Sequence, residues 1–221
     1  VDPTIGSEMK SVGEVMSIAR TFKEALQKAI RMLNLGFDGV IDDALMDVSS
    51  DALRERLRKP DSKRIFVITT AFARGFSVEE IALLTGIDPW FLYSLRRIVE
   101  TYKQLQTEKE LSVELLSDAK RQGFSDAQIG RYRKLPEEMI RKTRIKEHIM
   151  PVTKRIDTMA GEFPAKTNYL YMTYAARVPD YIPDAFEDKV VVLGGGPYAI
   201  GTSVEFDWCA VNTVKSIRTQ G

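Results

Sequence analysis

The sequence holds a single cysteine, Cys209, and a single histidine, His148, in 221 residues. One thiol cannot close an internal disulfide, so packing and hydrogen bonds must hold the fold, and the chain suits a reducing compartment. Cys209 falls in an apolar helical pattern and is expected to be a buried structural thiol rather than a nucleophile. His148 has no Cys or His neighbour at the spacing zinc requires, which leaves it a surface or helix-end role. Excess charge is missing too: Lys+Arg total 32 against Asp+Glu 31, a formal +1. No whole-chain field therefore draws the protein to nucleic acid or to an anionic membrane. No apolar run approaches the ~20 residues that span a bilayer, and no signal peptide is evident. What is left, 44% apolar and 29% charged, is ordinary for a soluble chain of one or two domains.

Helix signals dominate the middle. Residues 1–20 show bends at Asp2-Pro3 and Gly13 and no sustained period. Thr21 with Glu24 then has the form of a capping box, and Phe22, Ala25, Leu26, Ala29, Ile30 and Leu33 share one face of a helix that Gly36 can end. From about Asp51 to His148 the chain reads as short helices. Ser50 caps "DALRERLRK", Asp61 caps "SKRIFVITTAFAR", and Ser77 with Glu80 forms a second box. Asp88-Pro89 opens a helix with the stripe Phe91, Leu95, Ile98, Tyr102, Leu105, and further helices start at Ser112, Ser125 and Pro136. The expected fold class is mainly α.

An echo runs through this region. Gly75, Phe76, Ser77, Ile81 and Arg96 recur without gaps as Gly123, Phe124, Ser125, Ile129 and Arg144, giving two helix–turn–helix hairpins rather than a solenoid. Such a hairpin also suits a DNA reader, so a stand-alone nucleic-acid-binding or regulatory protein is the competing reading. A recognition helix, however, presents Arg, Lys, Asn or Gln near its start, whereas this one begins Pro89-Trp90-Phe91-Leu92, which asks for a core or a protein partner. The second hairpin is more basic, but Glu137 and Glu138 interrupt it and a solvated face accounts for it. Residues 151–188, with Pro164, Pro179 and Pro183 and tyrosines 169, 171, 174 and 181, read as an extended connector along other surfaces.

The C-terminal part carries "VVVLGGGPYAIGTSVEFDWCAV". Val190–Leu193 suits a buried strand, three glycines permit a sharp turn, and Val204, Trp208, Val211 and Val214 recur at helical spacing. A P-loop would need a lysine where Thr202 stands. A dinucleotide fingerprint passes formally at Gly194–Ala199, but its second strand and ribose-binding acid lie past Gly221. Phosphate loop and plain strand–helix turn both remain open on the residues alone.

Four stretches in order, "MKSVGEVMSIARTFKEALQKAIR", "GFSVEEIALLTGIDPWFLYSL", "KRIDTMAGEFPAKTNYLYMTY" and "VLGGGPYAIGTSVEFDWCAV", together resemble the synthetase part of the carbamoyl-phosphate synthetases. The resemblance implies three pieces: residues 1–34 as the tail of one ATP-grasp unit, 35–181 as an orthogonal helical oligomerisation domain with its connector from about 151, and 182–221 as a Rossmann-like βα opening a second unit. It implies a non-catalytic segment without cofactor of its own, cut from a parent ligase that uses ATP and Mg to make carbamoyl phosphate from bicarbonate and glutamine-derived ammonia, for pyrimidine or arginine synthesis. Implied partners are a second copy, the flanking synthetase units and a glutaminase subunit or domain, with neither nucleic acid nor membrane; the implied location is cytoplasmic, or mitochondrial for an ammonia- or arginine-linked parent. Met9, Glu14 and Glu205 match family positions near the passage that carries carbamate between sites. Ala19 in "SIAR" and the run "KLPEEMIRK" depart from the family pattern, the latter at a place where a subunit contact could change.

Overall fold

The computed structural model describes residues 4–10, 15–166, 169–182, 189–194 and 205–220, with only the backbone at 205–207. Nine α-helices and one two-stranded antiparallel sheet are formed among them. The helices are α1 (Phe22–Met32), α2 (Ser50–Arg58), α3 (Arg64–Ala73), α4 (Val78–Thr85), α5 (Pro89–Thr107), α6 (Val113–Arg121), α7 (Asp126–Arg133), α8 (Glu137–Lys146) and α9 (Glu205–Thr219). Strands β1 (Val152–Arg155) and β2 (Leu170–Thr173) pair with Val152 opposite Thr173 and Arg155 opposite Leu170.

Serine and aspartate oxygens start most of these helices by accepting from otherwise orphaned amides. Ser77 accepts from the amide of Glu80, Ser112 from Leu115, Ser125 from Gln128, and Asp88 from Trp90 with Pro89 at the first helical position. Two details differ from the sequence expectation. Ser49, not Ser50, caps α2. Asp61 bonds the amide of Lys63 and so shapes the turn before α3, which has no side-chain cap. The 19-residue α5 is the axis of the body: Leu92, Leu95, Ile98 and Leu105 are buried along it, facing Ile68 and Ala71 of α3, Ile81 of α4 and Ile129 of α7.

The echo is visible in the backbone. Gly75 and Gly123 both take positive φ, +90° and +92°, and each is followed by a phenylalanine whose amide reaches back to an alanine carbonyl, Phe76 to Ala71 and Phe124 to Ala119. Ile81 matches Ile129 and Leu92 matches Ile140 as buried anchors. Where the first hairpin turns through Gly86, the second uses Lys134, held left-handed at φ 56°. That strain costs roughly 1–2 kcal/mol and falls at the first residue of "KLPEEMIRK", the run that departs from the family pattern.

Three expectations need correction. The buried side of α1 is Glu24, Gln27 and Ile30, while Leu33 is exposed, because Glu24 and Gln27 find hydrogen-bond partners at Thr173, Gln122 and Gln128 and only Ile30 enters the apolar core. The extended segment is paired with itself among residues 151–166 and 169–180. The hairpin β1–β2 forms, and the amide of Asp180 donates to the Thr153 carbonyl at 2.9 Å, extending the paired edge. Val190 to Gly194 is not a strand, and Val190, Val191 and Leu193 are exposed. An isolated strand leaves its amides and carbonyls unpaired, and no neighbouring strand is present for it among the described residues. Only the helix half of the βα unit is seen, as α9.

Candidate functional site

The sequence-derived passage residues fall as follows. Met9 is 90% exposed, so it is not a core residue. Glu14 lies outside the described residues, as do Gly195 to Val204 of the glycine loop. Glu205 is the first residue of α9. Cys209 is exposed rather than buried, as are Trp208 and Val211 beside it, since no described element covers that side of α9. His148 sits one residue past the C-cap of α8 in a left-handed conformation at φ 56°, the helix-end place expected of it.

The structure instead brings two other groups of residues together. The first is an apolar face on the α4–α5 hairpin. The N-cap Asp88 and Pro89 open α5, whose first turn buries Leu92 and leaves Trp90 59% and Phe91 42% exposed. Both rings pack on Phe22 of α1, with centroids 5.6 and 5.2 Å away, and on each other at 4.9 Å. Leu83 of α4 and Tyr93 of α5 are also exposed. The second hairpin repeats the theme at one matching position, where Met139 stands for Phe91 and is exposed. Apolar side chains held rigidly at the surface mark an interaction site.

A buried polar seam ties α1 to everything C-terminal of it. Glu24 accepts from the Thr173 hydroxyl at 2.6 Å and pairs with Lys28 at 3.2 Å, so it does not reach back to complete the capping box with Thr21. Gln27 donates to the carbonyl of Gln122 at 3.1 Å and accepts from Gln128 at 3.3 Å. Arg31 donates to the carbonyl of Gly123 at 2.8 Å. Lys120 and Asp126 form a buried pair at 2.6 Å, joined by Arg144 at 2.7 Å, beneath the ring of Tyr174. Burial pushes the Asp126 carboxyl up, but the hydrogen bonds from Lys120 and Arg144 outweigh it and hold the group below its ordinary value; burial pulls the Lys120 ammonium down. Sequence reading missed this seam. Its one signal was the pair of polar residues, Glu24 and Gln27, spaced with Ile30 on one side of α1.

A nucleic-acid interface does not emerge. Four basic residues of the second hairpin are paired within the fold, Arg141 with Glu137, Lys142 with Glu138, Arg144 with Asp126 and Arg131 with Asp38, and Arg133 is turned onto the carbonyls of Leu105 and Lys109. Phosphate binding draws on unpaired cations.

Comparison with known proteins agrees. Residues 14–148 match the family described as carbamoyl-phosphate synthetase large chain, oligomerisation domain, and residues 186–221 match the carbamoyl phosphate synthase preATP-grasp domain. The mitochondrial carbamoyl-phosphate synthase [ammonia] of Rattus norvegicus is 46% identical over 98% of the chain. The multifunctional protein pyrABCN of Emericella nidulans is 45% identical and the multifunctional protein ura1 of Schizosaccharomyces pombe 47% identical, each over 100% of it. The chain spans only 15% of the length of the first of these and 10% of the other two. A rigid helical body with an exposed aromatic face, an oligomerisation-domain match over most of its length and near-complete alignment with these relatives lead to one conclusion: the chain belongs to the carbamoyl-phosphate synthetase family and is a segment of its large chain.

Proposed function

We propose that this segment links and assembles the enzyme and performs no chemistry itself. The observation that carries the reading is the Phe22–Trp90–Phe91 cluster, a fixed apolar surface on a body in which helices α1 to α8 share one core. It is suited to a second copy or to a flanking synthetase unit. In this reading residues 1–34 end the first ATP-grasp unit, 35–181 are the oligomerisation domain, and 182–221 open the second unit.

The parent then phosphorylates bicarbonate with ATP, lets ammonia convert carboxyphosphate to carbamate, and phosphorylates carbamate with a second ATP. Carbamate breaks down in water, so the path between the two sites has to exclude solvent. Met9, Glu14 and Glu205 are assigned to the lining of that path. Among the described residues no three His, Cys, Asp or Glu side chains converge to hold a metal. ATP and Mg are assigned to the flanking units, and ammonia to a glutaminase subunit or domain. The relatives' names pyrABCN and ura1 support a fused parent serving pyrimidine synthesis, and the equally similar mitochondrial relative of Rattus norvegicus keeps a mitochondrial location beside a cytoplasmic one. Incubating the purified chain with bicarbonate, ammonia and Mg-ATP tests the division of labour: phosphate release should stay at the blank, and turnover by this chain would overturn it.

A further inference from the structure

Several surface cations, Arg54, Arg131 and Lys142 among them, pair with carboxylates. One cleft instead collects cations in excess of acids. A cavity of about 330 Å³ lies between the first turn of α1, the middle of α5, the C-terminal end of α6 and residues 174–177, and Lys23, Arg97, Arg121 and Arg177 line it against one acid, Asp118. Asp118 is already committed, accepting from Arg97 at 2.7 Å and from the Gln122 amide at 2.8 Å. Among the described residues Lys23, Arg121 and Arg177 form no ion pair, unlike Arg97 beside them, which is held by Asp118.

The walls are held in place. Gln122 also donates to Thr101 at 2.8 Å, which fixes the α5–α6 side. On the other side Tyr174 packs its ring against Lys120, and the Thr173 hydroxyl, bonded to Glu24, accepts from the amide of Ala175 at 3.0 Å. Arg177 therefore follows from a segment anchored to α1. The positive end of the α1 dipole, at Thr21, adds to the same field. Unpaired cations gathered this closely repel one another unless an anion joins them.

We propose that this cleft binds a small phosphate-bearing anion. Guanidinium forks match phosphate oxygens in pairs, and the excess of positive groups suits a dianion better than a single carboxylate. The volume falls at the lower end of the roughly 300–1,000 Å³ typical of small-ligand sites. This site stands apart from the assembly role, since it uses none of Leu83, Trp90 or Phe91.

Isothermal titration of the 221-residue chain tests it, with inorganic phosphate, adenosine monophosphate and adenosine as probes at about 0.15 M ionic strength, where the Debye length is about 8 Å and diffuse attraction is screened. Phosphate and the monophosphate should each saturate a single site and adenosine should not bind. Arg121→Ala and Arg177→Ala, both at exposed positions, should each weaken binding about 10-fold with an unchanged melting temperature, while Arg58→Ala, exposed on α2, should leave it unaltered. Tighter binding of the monophosphate identifies a nucleotide as the ligand; equal binding identifies the phosphate group alone. Failure to saturate, or variants of Arg121 and Arg177 that bind as the parent sequence does, would overturn the proposal.

Discussion

Replacing Gly123 by alanine, with Gly75→Ala as its internal control, isolates the energy of docking α1 on the second hairpin. The two glycines do the same job in the two copies. Each takes φ near +90° and donates its amide to the carbonyl three residues back, at 3.1 Å for Gly75 and 3.0 Å for Gly123. An alanine at such a φ costs roughly 1–2 kcal/mol, and any loss of unfolded-chain entropy is common to both sites. Their surroundings differ. A Cβ on Gly75 meets nothing within 4 Å, whereas one on Gly123 falls 2.9 Å from Cα of Glu24 and 3.1 Å from its carbonyl oxygen. Those are backbone atoms that cannot rotate aside, so α1 has to shift, at an overpacking cost of about 1–3 kcal/mol. Gly75→Ala should therefore lose about 1–2 kcal/mol and Gly123→Ala about 2–5 in urea-unfolding free energy. Equal losses would refute the claim that α1 is pressed against Gly123.

Other perturbations probe the seam and the core. Glu24→Ala leaves Lys28 and Thr173 without their buried partner and should cost about 3–5 kcal/mol, with amide exchange rising first in β2. Asp126→Asn should cost a similar ~3–5 kcal/mol at neutral pH. Because the Asp126 carboxyl is held below its ordinary value of 3.8, its stabilisation is present above that value and lost as pH falls through the lower folded-state value; unfolding midpoints of the two proteins should converge in acid. Burial, then the nearby Asp43 carboxylate, pushes the Tyr102 phenol up to about 12 from 10.0, so the folded state favours the neutral phenol. That contribution is full below pH 10 and drains away as pH rises toward 12. Burial also raises Tyr132 and Tyr174, so alkaline difference absorbance should show several tyrosines titrating late, and Tyr102→Phe should reduce that late amplitude by one phenol.

Much of the helical body was legible because each start carries its own local chemistry. Ser77, Ser112, Ser125 and Asp88-Pro89 act within one turn of the chain, and the repeat of Gly75-Phe76-Ser77 as Gly123-Phe124-Ser125 fixed both hairpins. What escaped depends on partners far along the chain. Glu24 looks like a capping residue until Thr173 is placed beside it, and α1 looks oily along Ala25, Leu26 and Ala29 although its deepest residues are Glu24 and Gln27. Strands β1 and β2 are four residues each and separated by a long loop, too short for alternation to declare them. The Val190–Leu193 run promised a strand from its composition, yet strands exist only as pairs. The basic cleft draws on α1, α5, α6 and the segment after β2, so no window of sequence contains it.

The central claim is that this segment assembles the enzyme through the exposed face of its first hairpin. Sedimentation equilibrium of the chain over a concentration series tests it most directly, alongside Leu83→Asp with Trp90→Ala. The chain should self-associate by mass action, and the double variant should weaken association by at least ~2 kcal/mol, about 30-fold. A chain that stays monomeric at every concentration, or a variant that associates unchanged, would contradict the account.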